Sequence, residues 1–255
     1  MDSPARAPAS ESRQASPRAR SPAFQRRLLE LLPPADWASL LCFALISIVM
    51  LATLRDYGFT YDEEMHIRDG ERILAFYTGV HGLSPALAQS SYGPGFDVVA
   101  ALLRRISPWD AFRTNHWLCV FVAQLGLLGT WRLGRFIAGP AGGLLALLFL
   151  VLTPVYYGHQ FNNPKDLPFA AGYVWGLYFI ARLTRRAPGS AQPHASAEAS
   201  EGPDPEAAVG IRYWVGLALS LALGMLVRVG GAVLIAYLVA LLSALALEFW
   251  RLEGR

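Results

Sequence analysis

Lysine is almost missing from this 255-residue sequence: Lys165 is the one lysine among 22 Lys and Arg residues. Charge of either sign is scarce, at 16% of residues, where a soluble domain carries about 25%. With a mean hydropathy of +0.33, that deficit points to lipid as the solvent. The net charge of +3 is small, and no nucleic-acid partner is expected. Only two cysteines occur, Cys42 and Cys119. Both lie in apolar runs, which excludes a disulfide framework and suits small buried hydrophobes. Internal repeats are absent as well.

What is abundant is apolar length. Runs of about 18 residues are long enough to cross a bilayer, and six occur, at 36–54, 114–136, 141–160, 164–183, 211–229 and 231–250. The expected fold is therefore an all-α integral membrane protein of about six transmembrane helices. Its first extracytoplasmic loop, 55–113, should be long and partly helical. Residues 1–25, rich in Pro, Ala, Ser and Arg, read as a disordered cytoplasmic tail. Residues 26–186 hold the first four spans, 187–209 a flexible cytoplasmic loop, and 210–255 the last two spans. The first span follows Arg26 and Arg27 without a small-residue cleavage site, as a retained anchor does.

Lys and Arg collect on the cytoplasmic side of short loops. With the N-terminus inside, Arg132, Arg135, Arg182, Arg185, Arg186, Arg212, Arg251 and Arg255 all fall inside. The loop 55–113, the turn at 159–166 and Arg228 then share the outer face. That loop holds six Arg and eight acidic residues, but long loops translocate largely regardless of charge.

Within it, "FTYDEEMHIRDGERI" places Thr60 three residues before Glu63, the spacing of a capping box. Asp62 and Glu64 suit the first turn of the same helix. Asp62, His66 and Asp69 stand at i, i+4 and i+7 on one face. They fit a general base with partners that tune it, although spacing alone favours a solvated helix face. "SSYGPGFDVVAALLRR" follows, an amphipathic segment expected along the interface with Arg104 and Arg105 as anchors. Trp109, His116, Trp117 and Tyr92 read as interface anchors.

"GHQFNNPKDLPF" forms a second polar island. Asn163 is placed to cap the fourth span, with Pro164 at its first position and Asp166 in its first turn. Lys165 at that helix end suits a phosphate oxygen. Arg228 sits at the end of an apolar run, where a charge costs roughly 2.5–3.5 kcal/mol on insertion scales, unless it snorkels to the interface. Lys165 and Arg228 together would clamp a phosphate. A divalent metal could be held only by Glu63, His66 and His159, which lack the spacing of a strong zinc site.

Three stretches, "YDEEMH", "HQFNNPKDLPFA" and "VRVGG", together resemble the membrane glycosyltransferases that use a polyprenyl-phosphate sugar donor. That family, of GT-C type, includes the protein O-mannosyltransferases and the aminoarabinose transferases. The resemblance covers roughly 36–250 and implies inverting transfer to an acceptor hydroxyl at the extracytoplasmic face of a bacterial inner membrane. It implies Asp62 as base, with Glu63 beside it and Asp166 as the second acidic residue. Lys165, Arg228, Asn163, His66 and Tyr92 would bind the donor or its phosphate. Family members continue for several more spans, whereas this sequence ends at "WRLEGR", so the resemblance is to an N-terminal half. Two other readings stand beside it: a transporter for an anionic solute, and a non-catalytic membrane scaffold.

Overall fold

The computed structural model describes residues 32–80, 92–184 and 210–253; the expected tail at 1–25 and the expected loop at 187–209 lie outside them. The described residues are helices and turns, without a strand among them. In chain order they form α1 (Pro34–Thr53), α2 (Tyr61–Tyr77), α3 (Gly95–Arg104), α4 (Ala111–Val151), α5 (Pro154–Asn162), α6 (Asp166–Thr184), α7 (Ile211–Val227), a 3-10 turn (Val229–Gly231) and α8 (Ala232–Glu253). Ala35 onward forms one compact unit.

The 41 residues of α4 are two arms. At Ala138 and Gly139 the backbone leaves the helix, and Gly139 has φ 70°, a left-handed value that glycine adopts without a steric penalty. Pro140 then opens the second arm, where its missing N–H costs nothing. The arms fold back on each other, with Gly134 against Gly142 and Gly143 against Trp131. The expected gap between 136 and 141 is this hairpin turn. The expected run 141–160, by contrast, is broken. Pro154 biases the preceding residue towards extended backbone, and Thr153 at φ −79°, ψ 109° separates α4 from α5.

The core joins Ile46 and Met50 of α1, and Leu54 just past its end, to Val120, Ala123, Leu127 and Leu147 of the hairpin, with Phe161 and Leu167. Near the start of α1, Asp36 accepts two hydrogen bonds from Arg135, of 2.9 and 2.7 Å, at the closed end of the hairpin. Near its end, Thr53 meets the Tyr157 hydroxyl at 3.0 Å. The helix α7 runs back along α6: Tyr213 accepts from Arg182 at 2.7 Å, and Arg228, just past α7, reaches Asp166 at 2.7 Å. One end of the bundle thus collects the end of α1, the starts of α4 and α6, and the end of α7. Helices α2 and α3 pack there.

Two helices, α1 and α4, are long and apolar enough to cross a membrane, and only 22% and 11% of their apolar windows are buried. Leu41, Leu45 and Ile48 on α1 and Phe121, Leu145 and Phe149 on α4 face outward, as side chains do where lipid or another protein covers them. Apolar helix also occurs at Ile211–Val227 and Val229–Ala244, in shorter lengths. The expected boundary between the last two runs is the 3-10 turn at Val229–Gly231.

Candidate active site

The acidic helix α2 is fixed from below. Thr60 and Glu63 form the expected capping box, and Glu63 Oε2 accepts from the Thr60 N–H at 2.9 Å and from its hydroxyl at 3.2 Å. Its other oxygen lies 2.8 Å from His116 Nε2, with both side chains buried. One turn on, His66 Nδ1 is 2.9 Å from Asp97 Oδ2 on α3, again buried. Burial pushes the Asp97 carboxyl above its ordinary range, outweighing the His66 contact that lowers it. Arg104 binds Asn115 (2.8 Å), Glu71 (3.2 Å) and the Ile67 carbonyl (3.3 Å).

These contacts correct several expectations. His116 and Arg104 are not interface anchors; both are enclosed by protein. The amphipathic segment is α3, and it buries Phe96, Asp97, Ala100 and Ala101. Asp69 contacts Arg72 at 3.7 Å and also acts on Asp97, the partner of His66, rather than on Asp62. Asp97, Asn115 and Arg104 are the polar residues that spacing arguments missed. An aspartate inside an apolar run, and Asn-His in the second turn of a long apolar helix, were the available signals, since buried polar groups are paired. Trp109 is half-exposed and stacks on Trp117 at 5.3 Å, as interface anchors can.

Above this fixed layer, Lys165 Nζ lies 2.6 Å from Asp62 Oδ2 across 103 residues of sequence. The two side chains are 18% and 47% exposed, and a pair so open contributes about 1 kcal/mol or less. The Lys165 ammonium holds the Asp62 carboxyl below the usual carboxylate range. Asn163 shapes the turn as expected: its Oδ1 accepts from the backbone N–H of Asp166 at 2.8 Å and of Lys165 at 3.3 Å. Its Nδ2 meets Asp166 Oδ2 at 3.0 Å and His159 Nδ1 at 3.2 Å. An open cleft of about 360 Å³ is lined by Thr60, Asp62, His159, Asn163 and Lys165, among others.

Tyr92 joins the two cations. Its ring lies 5.0 Å from Lys165 Nζ and 5.3 Å from Arg228 Cζ, and 6.2 Å from the His66 ring. Gly93 places it there. The Gly93 N–H donates to the Val227 carbonyl at 3.0 Å, and any Cβ at Gly93 would collide with the Leu226 carbonyl. The "YGPG" stretch is thereby docked on the end of α7. Of the residues expected in the site, Asp62, Asn163, Lys165, Asp166, Arg228 and Tyr92 meet directly. His66 lies against Tyr92, and Glu63 is beneath.

No protein-family model, curated protein or solved structure matches the chain. The candidate metal ligands do not gather: Glu63 faces His116, His66 faces Asp97, and His159 faces Asn163. Among the described residues no three His, Cys, Asp or Glu side chains form a metal-holding group.

Proposed function

We propose that the chain is a multi-pass membrane glycosyltransferase, with its N-terminus cytoplasmic and its cleft at the extracytoplasmic face of a bacterial inner membrane. It transfers a sugar from a polyprenyl-phosphate donor to an acceptor hydroxyl, with inversion. The observation that carries this reading is the meeting of Asp62 with Lys165, from distant segments, in one open cleft beside Arg228. A carboxylate and two cations at an apolar boundary suit a reaction that needs a base and liberates a lipid phosphate.

The donor phosphate contacts Lys165 and Arg228, and its tail runs over the exposed apolar side chains Met225, Leu226 and Val229 that flank Arg228. Asp62 takes the proton of the acceptor hydroxyl. The acceptor oxygen bonds to the anomeric carbon from the opposite side, and the bond from that carbon to the phosphate oxygen breaks with its electron pair on phosphate. The cations stabilise the growing phosphate charge. Glu63, His116, His66 and Asp97 are positioning residues that hold α2 and hence Asp62. Lys165→Ala and Arg228→Ala should each weaken binding of the polyprenyl-linked donor more than of the acceptor. Unchanged donor affinity in both variants would remove the cations from the reaction.

A further inference from the structure

Two kinds of carboxylate contact occupy this end of the bundle. Glu63–His116 and His66–Asp97 are closed off, with every side chain 9% exposed or less. Asp62–Lys165 and Asp166–Arg228 are open, with side chains between 18% and 47% exposed. The lower pairs are fixed, since separating them would leave buried polar groups without partners. The upper pairs are screened and weak, and an incoming anion can exchange with them.

We infer that Asp62 and Asp166 stand in for the donor phosphate on Lys165 and Arg228, and that phosphate binding displaces them and frees Asp62 to act as base. This rests on the proposed glycosyl transfer and adds an order to it, donor before acceptor. The donor phosphate, a diester with one negative charge and two free oxygens, matches a carboxylate in charge, and a single phosphate can engage both cations because both already sit against the one Tyr92 ring. While Lys165 is bound, it covers an Asp62 oxygen and lowers that group's proton affinity. Removing the ammonium restores both the oxygen and its basicity.

The two carboxylates differ in what remains afterwards. Asp166 keeps the Asn163 amide on Oδ2. Asp62 has no second hydrogen-bond donor among the described residues beyond Lys165. Release therefore leaves Asp166 fixed and Asp62 available, which assigns the base to Asp62.

A zero-length carbodiimide tests this on the intact protein in lipid nanodiscs. It joins a carboxylate and an amine in contact into an amide and departs as a urea. Peptide mass mapping should find an Asp62–Lys165 amide in the empty protein. Saturating polyprenyl monophosphate should suppress it at least tenfold, and phosphate-free polyprenol should not. Native mass spectrometry of the same sample reports whether the lipid is bound. No amide in the empty protein overturns the inference, as does equal suppression by polyprenol. An undiminished amide with lipid bound also overturns it and leaves the transfer reading standing. Failure to bind polyprenyl monophosphate at all removes both.

Discussion

Glu63 Oε1 and His116 Nε2 lie 2.8 Å apart, and this contact ties the first turn of α2 to the start of α4. Everything the cleft presents on α2 depends on that joint. His116→Ala would leave the buried Glu63 Oε1 without its partner, at a cost of about 1–3 kcal/mol. The unfolding temperature in detergent should drop strongly for His116→Ala and less for Glu63→Gln, which keeps hydrogen-bonding capacity. An unfolding temperature equal to wild type in both would contradict a buried pair.

Gly93 is the second joint. Gly93→Ala forces a methyl group into the Leu226 carbonyl, an overpacking worth about 1–3 kcal/mol. The strain is relieved by lifting "YGPG" from α7, which carries Tyr92 away from Lys165 and Arg228. Weaker binding of polyprenyl monophosphate should result, with the Asp62–Lys165 contact retained in carbodiimide mapping. Wild-type lipid affinity in Gly93→Ala would show that Tyr92 placement is irrelevant to the donor.

Asp97 makes stability depend on pH in an identifiable direction. Its carboxyl is raised in the fold by burial, so the native state holds a proton more tightly than the unfolded chain. Its contribution is full below about pH 3.9, the unfolded value, and is lost as pH rises through the raised native value. Asp97→Asn should flatten the decline of unfolding temperature with rising pH above about 4. An identical slope in wild type and variant would contradict a buried, raised carboxyl.

Asp62 moves the opposite way, because Lys165 lowers it. The acid limb of kcat/KM reports the free enzyme, so in wild type it should fall below the ordinary carboxylate range. Lys165→Met should shift that limb upward, beside its loss of donor affinity. A limb at the same pH in both proteins would mean that Lys165 does not set the proton affinity of Asp62.

Local chemistry was the legible part of this sequence. The Thr60–Glu63 box and the Asn163 turn follow from neighbouring residues, and the structure contains both. The polar islands at 60–66 and 159–166 stood out because apolar runs surround them. Partnership between islands was not legible, because the Asp62–Lys165 contact depends on how α2 lies over the α5–α6 turn. Periodicity placed Asp69 on a face with Asp62 and His66 but says nothing of what covers each position; Asp97 of α3 meets His66 and feels Asp69, while Asp62 meets Lys165. The same gap misassigned His116. Its proximity to an apolar run fits a membrane boundary and a buried pair alike, and only the position of Glu63 decides between them. The break at Thr153 was hidden for another reason: hydropathy does not register the backbone constraint that Pro154 imposes.

The most direct measurement is the rate at which purified Asp62→Asn turns over a polyprenyl-phosphate-linked sugar, set beside its donor affinity and unfolding temperature. Loss of a general base costs about 10²–10⁴-fold in rate, so turnover should fall by that factor while the other two quantities stay near wild type. Turnover at the wild-type rate, in a variant that binds donor and folds normally, would contradict Asp62 as the base.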